Sequence, residues 1–251
     1  MTDRILTALP VYNEVNHVAG VLSEVLHFVP DVLVVDDGST DGTSQKLAEF
    51  PQVHVVRHER NQGYGAALRS AFQFAIEHKY DILVTMDCDG QHQPQYLNEI
   101  AGMVNLPEHP VEMVSGSRYL KAFGGNSLPP EERRAINSQI TRCLNERLGL
   151  SITDAFCGFK AYRVSALTDL LITDPGYAMP LQIWVQAVHL GWRISEFAVP
   201  LLYLDATRSF GGSLDDASIR LTHYRNVLNQ ELERLGMTQR FTSDCGVATG
   251  R

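Results

Sequence analysis

The chain lacks what would mark a membrane-spanning, disulfide-stapled or nucleic-acid-binding protein. None of its 251 residues belongs to an apolar run near the roughly 18 to 20 that cross a bilayer. Cysteine is scarce: Cys88, Cys143, Cys157 and Cys245 show no paired metal-finger spacing and are too few for a disulfide framework, so reduced thiols are expected. Positive charge is in deficit, 21 Lys and Arg against 29 Asp and Glu, and the net charge is -8. That balance argues against nucleic acid as a partner, because affinity for polyphosphate rests on clustered cations. The opening MTDRILTALP carries an early acid and leads directly into strand-like residues, unlike a secretory leader, and a cytoplasmic protein is expected.

What is present is globular: 44% hydrophobic and 20% charged residues exclude bulk disorder, and the length suits one α/β domain with a full core. Apolar runs of strand length alternate with segments of helical period, the pattern of a parallel sheet with crossover helices. Strands are expected at Ile5 to Leu9, Val32 to Val35, Val53 to Val56, Ile82 to Met86, Glu112 to Ser115 and Trp192 to Val199. Val18, Leu22, Val25 and Val29, then Leu68, Ala71, Phe72 and Ala75, recur at three and four residues and predict one-faced helices. From about residue 117 the pattern changes. Glycines and prolines at 124–130 predict a loop before a helix from Glu131 to Leu148, and Ala217 to Leu235 reads as a last amphipathic helix. We therefore expect a single domain over 4–235, its nucleotide-binding half at 4–116 and its acceptor half at 117–235, followed by a flexible tail at 236–251. Between Arg118 and Arg147, six basic residues face three acidic ones, +3 locally against -11 elsewhere. A solvated helix face and a site for an anionic ligand both fit that excess.

Ligands of open parallel sheets bind beyond the carboxyl ends of the strands, and polar residues gather at those ends here. Pro10, Tyr12, Asn13 and Glu14 follow the first strand; Asp36, Asp37, Gly38, Ser39, Thr40 and Asp41 follow the second. Asn61, Gly63 and Gly65 follow the third, and Asp87-Cys88-Asp89-Gly90-Gln91 the fourth. One such stretch alone reads equally as a turn that caps the next helix through Asp41 or Ser39. Asp87 and Asp89 are the sharpest pair. In extended backbone, residues two apart project to one side, and two carboxylates so held repel unless a cation lies between them. A hard divalent ion with oxygen ligands, completed by Gln91 and a substrate phosphate, fits this pair; so does a solvated acidic turn. His92 reads as a supporting or surface residue, and Trp184 and Trp192 as core.

The stretches LPVYNE (9–14), VVDDGSTDGT (34–43), NQGYGAA (61–67), MDCDGQHQP (86–94), GSRY (116–119) and DAFCGFKAYR (154–163) resemble the successive motifs of family 2 glycosyltransferases of the GT-A fold, closest to the dolichyl-phosphate and polyprenyl-phosphate mannosyl- and glucosyltransferases. The resemblance implies a Rossmann-like, mostly parallel sheet flanked by helices. It implies that Pro10, Tyr12, Glu14, Asp36, Asp37 and Gly63 border a sugar nucleotide, GDP-mannose or UDP-glucose. Asp87, Asp89 and Gln91 then hold Mg2+ or Mn2+, and Arg118 points at phosphate. Arg134 and Ser138 resemble acceptor-phosphate contacts, and Arg208 and Ser213 resemble the Arg and Ser of an Arg-x-x-Gly-x-Ser-Lys segment. Leu214 stands where that segment has lysine, and Tyr64 stands where many relatives have lysine.

A physical argument supports a phosphate acceptor. A hydroxyl acceptor needs a general base, and GYAMPLQIW (176–184), where many members carry an acid, has no Asp, Glu or His; a phosphate arrives ionised. The expected reaction is direct displacement with inversion, onto a lipid phosphate. A lipid acceptor requires peripheral membrane contact, which no basic amphipathic stretch announces. Nucleotidyl transfer fits less well, since residues 10–20 hold Gly20 alone and no Lys or Arg. A receiver-like protein would place its acidic pair after the first strand, and a non-catalytic sugar-nucleotide binder would not need both aspartates.

Overall fold

Ile5–Val11 (β1) and Val32–Asp36 (β2) are buried along nearly all their length, as aliphatic runs covered on both faces of a parallel sheet must be. The computed structural model describes residues 3–127, 129–202 and 211–237. His54–Arg57 (β3) pairs in parallel outside β2, and Ile82–Thr85 (β4) pairs in parallel on the other side of β1. Next to β4 the direction reverses. Met113–Ser117 (β5) is separated from β4 by Lys160–Arg163 (β6), which is antiparallel to both, and Ile194–Ala198 (β7) runs parallel beside β5. The sheet order is β3-β2-β1-β4-β6-β5-β7.

The helices are Val18–Phe28 (α1), Thr43–Leu47 (α2), Tyr64–Glu77 (α3), Leu97–Val104 (α4), Glu131–Leu148 (α5), Val164–Leu167 (α6), Met179–His189 (α7) and Ala217–Arg234 (α8). Alternation along the strands divides the interior into two cores. Leu6, Ala8, Leu33, Val35 and Leu83 face a core with Phe72 and Trp184. Leu9, Val11, Val34, Ile82 and Val84 face another with Leu22 and Ile100. The α5 helix has the expected bounds and ends on Gly149, whose φ of 68 is a left-handed conformation that glycine adopts freely. Asp216 caps α8 by accepting from the N–H groups of Ser218 and Ile219.

Several expectations are corrected. The first strand continues to Val11 and so contains Pro10, the second takes in Asp36, and the fifth extends to Ser117. The β6 strand and the α7 helix are both unforeseen. Lys-Ala-Tyr-Arg has no aliphatic run, yet Lys160 is buried, donating to Ser115 Oγ with its Nζ 4.8 Å from the Trp184 ring centre. Burial pulls its ammonium below the ordinary value. Cys88 and Cys157 are buried thiols outside any disulfide, whereas Cys143 is disulfide-bonded, against the expectation of reduced cysteines. Of the expected tail, Met237 is buried in the core that contains Trp184; 238–251 lie outside the described residues. Among the described residues no helix is long and apolar enough to cross a membrane.

Candidate active site

The carboxyl ends of β1, β2, β3, β4 and β5 share one edge, and because β6 is antiparallel, its amino end meets them there. Asp36 is wholly buried: Oδ1 accepts from Ser39 N (2.9 Å) and Oδ2 from Ser44 Oγ (2.6 Å). Asp37 accepts from the N–H groups of Gln62 (2.9 Å) and Gly63 (2.7 Å), with His58 Nδ1 2.6 Å away. Both carboxylates hold the loops at the ends of β2 and β3. Gly63 also gives its N–H to this scaffold. Asp41 accepts from Thr43 N at 3.0 Å just ahead of α2, whose N-cap position is Gly42. Glu14 is buried, its N–H donating to Thr43 Oγ1 at 2.9 Å, while Tyr12 stands 45% exposed on the rim.

The start of α3 lies against segment 174–179. A Cβ on Gly63 would come 2.3 Å from Pro175 O, and one on Gly65 2.5 Å from Asp174 O, so both positions need glycine for this approach. Ala66 N donates to Pro175 O (3.1 Å), and the rings of Tyr64 and Tyr177 stack with centroids 5.4 Å apart. The Tyr64 hydroxyl donates to Asp87 Oδ1 at 3.0 Å. Burial and the Asp87 charge raise the phenol's pKa well above its ordinary value, so it stays a donor. Asp174, just before 176–184, has Oδ1 committed to Gly176 N (2.8 Å) and Oδ2 3.9 Å from His223 Nε2.

Asp87 is held on three sides. Its N–H donates to His92 Nδ1 at 3.2 Å, and its carboxylate lies where a Cβ on Gly158 would be, 2.4 Å from Oδ2. His92 is buried, which settles its place behind the acidic pair and not on the surface. Its Nδ1 accepts the Asp87 N–H, and its Nε2 lies 3.9 Å from Cys157 Sγ. Asp89 Oδ1 accepts from Gln91 N at 3.0 Å, so Gln91 meets the acidic turn through its backbone. Among the described residues no three His, Cys, Asp or Glu side chains cluster as a closed metal cage. Two carboxylates at a partly open edge, one fixed against a glycine, fit an ion that keeps sites for water and phosphate oxygens, as Mg2+ does.

Arg118 is engaged internally. Its Nε and Nη2 donate to Asp154 at 2.7 and 2.9 Å, and the Asp154 carboxylate is fully buried and also accepts from Asn137 Nδ2 (3.1 Å). Desolvation opposes the guanidinium's charge but Asp154 outweighs it, raising the Arg118 pKa. Neither bond uses Nη1. Arg134 and Ser138 are exposed one turn apart on α5, and Ser213 is exposed near the start of α8; Arg208 lies outside the described residues. Sequence reasoning missed Asp154, Gly158 and His92's buried position. The first two sit inside the DAFCG stretch, and only β6 reversal carries them to the site. A hollow of about 340 Å³ at the opposite edge holds none of these residues, and its Glu112 and Arg193 pair with each other at 2.8 Å.

A sheet of this order, with loops converging on an acidic pair at one edge, is the arrangement of the GT-A fold. The glycosyl transferase family 2 profile matches residues 7–171, and the chain belongs to that family. Undecaprenyl-phosphate mannosyltransferase of Micrococcus luteus is 33% identical over 235 residues, 88% of this chain and 93% of the relative. Polyprenol monophosphomannose synthase of Mycolicibacterium smegmatis is 31% identical over 89% of this chain and 87% of its own. Glucosyl-3-phosphoglycerate synthase from Mycobacterium tuberculosis, solved with Mn2+, UDP-glucose and phosphoglyceric acid, shares the fold with a TM-score of 0.69 at 20% identity, over 95% of this chain and 81% of its own.

Proposed function

We propose that this enzyme moves a hexose from GDP-mannose or UDP-glucose to a polyprenyl or dolichyl phosphate, inverting the anomeric carbon, with Mg2+ or Mn2+. The observation that carries the reading is the acidic pair at the end of β4, with Asp87 clamped by Gly158 and His92 and Asp89 beside it. The relatives from M. luteus and M. smegmatis bear names of polyprenyl-phosphate mannosyl transfer, and the neighbour from M. tuberculosis was solved in complex with Mn2+ and UDP-glucose. Asp87, Asp89 and the side chain of Gln91 would hold the ion. When bound, it supplies positive charge to a departing nucleoside diphosphate.

The residues themselves divide the work between the halves 4–116 and 117–235. The exposed Tyr12 ring, with Pro10 and Glu14, borders the nucleoside. Arg118 through Nη1, with Arg134 and Ser138, holds the acceptor phosphate; Arg208 and Ser213 complete its surroundings. The acceptor's phosphate oxygen bonds to the anomeric carbon as the bond from that carbon to the diphosphate breaks. No proton need be removed, which agrees with a segment 176–184 free of Asp, Glu and His whose neighbouring acid, Asp174, is already hydrogen-bonded. Leu214 removes one cation from the acceptor side, so the phosphate rests on arginines. A lipid acceptor implies peripheral contact with a membrane, from the cytoplasmic side.

The test is a transfer assay crossing GDP-mannose and UDP-glucose with polyprenyl phosphate and free polyprenol. Product is expected with the phosphate alone, from one donor, with inverted configuration by NMR and loss of turnover in chelator. Asp89→Ala should lower kcat roughly 100-fold or more, the scale for losing a group that stabilises transition-state charge. Efficient glycosylation of polyprenol with the phosphate inert would overturn the acceptor, and full activity in chelator the ion.

A further inference from the structure

Two aromatic residues are left without a part in the reaction just described. Tyr64 opens α3, and its hydroxyl reaches across to Asp87 Oδ1 at 3.0 Å. Its ring lies nearly parallel to Tyr177, 17° between planes and 5.4 Å between centroids. Tyr177 belongs to the segment packed on α3 through the Ala66 N to Pro175 O bond and the close approaches at Gly63 and Gly65.

The carboxylate of Asp87 has freedom about its last torsion unless something fixes it. Gly158 bounds one side and His92 the base, but neither donates a hydrogen bond to Oδ1; Tyr64 does. A phenol is suited to this task. It directs one lone pair of the carboxylate and adds no charge, so the full negative charge is kept for a cation, whereas an ammonium at the same place would cancel it. That also gives the tyrosine at this position a physical account.

We propose that Tyr64 is a positioning residue: it fixes Asp87 for a divalent cation and, through its stack on Tyr177, ties the cation side of the site to segment 174–179 of the acceptor half. The inference rests on the reading that Asp87 and Asp89 hold such a cation.

The test is Mn2+ binding, followed by electron paramagnetic resonance, to the full chain with GDP and separately with UDP. Tyr64→Phe keeps the ring stack and removes the donor. It should weaken Mn2+ binding about tenfold, the scale of a hydrogen bond to a charged group, with the melting temperature unchanged. Tyr64→Lys should weaken it further, because its ammonium competes with the ion. A merely structural role would move the melting temperature and leave Mn2+ affinity alone. If both variants bind Mn2+ as the native chain does while Asp87→Asn loses it, the role of Tyr64 is wrong and the cation site stands. If the native chain binds no Mn2+ with either nucleotide, or Asp87→Asn binds normally, the cation site fails and this inference with it. Should Tyr64→Phe not fold, 3-fluorotyrosine placed at position 64 alone reports directly. Its fluorine resonance should shift when Mg2+ is added with nucleotide, and an unmoved resonance overturns the proposal.

Discussion

A methyl group added at Gly158 would lie 2.4 Å from Asp87 Oδ2 and 2.7 Å from its Cγ, closer than non-bonded atoms approach. The antiparallel strand β6 anchors the residue on one side, so the carboxylate must yield. Gly158→Ala should therefore cut Mn2+ affinity and kcat by roughly tenfold or more while the protein still folds, the scale at which supporting contacts of a metal ligand act. Circular dichroism beside a metal titration separates the two effects. At Thr7, in the middle of β1, the hydroxyl is buried without a partner among the described residues. A buried polar group without a hydrogen bond costs stability, so Thr7→Val, similar in shape, should stabilise by about 1 kcal/mol, seen as a melting temperature about 2–4 °C higher.

Among the elements, α7 and α8 are joined by a buried polar cluster. Gln182 Nε2 donates to Glu231 Oε2 (3.0 Å) and to Thr173 Oγ1 (2.7 Å); Gln186 Nε2 donates to Glu231 Oε1 (2.7 Å) and to Leu171 O (2.8 Å). Each amide uses both of its protons. Glu231→Ala leaves one proton on each unmet in a dry interior, and a loss of about 2–4 kcal/mol in urea unfolding is expected. The pair matters to the site because α7 begins where segment 174–179 ends. At this scale the sequence was readable where burial follows a period: α5 and α8 show their apolar faces every three or four residues. It was unreadable where polar groups are buried by pairing. Gln182, Gln186, Glu231 and Lys160 look like surface residues until the pairings of Gln182 and Gln186 with Glu231 and of Lys160 with Ser115, across 45 or more positions, are known.

For the molecule as a whole, acid stability should follow Asp154. Burial alone raises its pKa, but the Arg118 charge and hydrogen bonds prevail and lower it. Glu112 is lowered too, through its bond from Arg193. A carboxylate depressed in the folded state binds fewer protons than in the unfolded one. Its contribution is complete above the unfolded value near 4 and is lost as pH falls through the folded value. Glu196, raised by burial, acts in the opposite sense and offsets part of this. Melting temperature should hold from pH 7 to about 5 and fall below about pH 4, and Asp154→Asn should flatten that fall at the cost of about 3–5 kcal/mol, since Arg118 is left partly buried without its counter-charge.

The amino-acid sequence by itself determined the alternation of strands and helices, the parallel sheet and the polar strand ends, because these follow from local period and from which residues tolerate burial. It also showed Asp87 and Asp89 two apart after a buried strand, a relation contained in four consecutive positions. Only the tertiary structure decided which carboxylates face inward. Asp36 and Asp37 also follow a buried strand, yet they accept from Ser39, Ser44, Gln62 and Gly63, while Asp87 meets Tyr64, His92 and Gly158. A carboxylate's role depends on the donors that surround it, and those donors are brought by the crossing of β6 and the docking of segment 174–179, neither of which leaves a local trace in the chain.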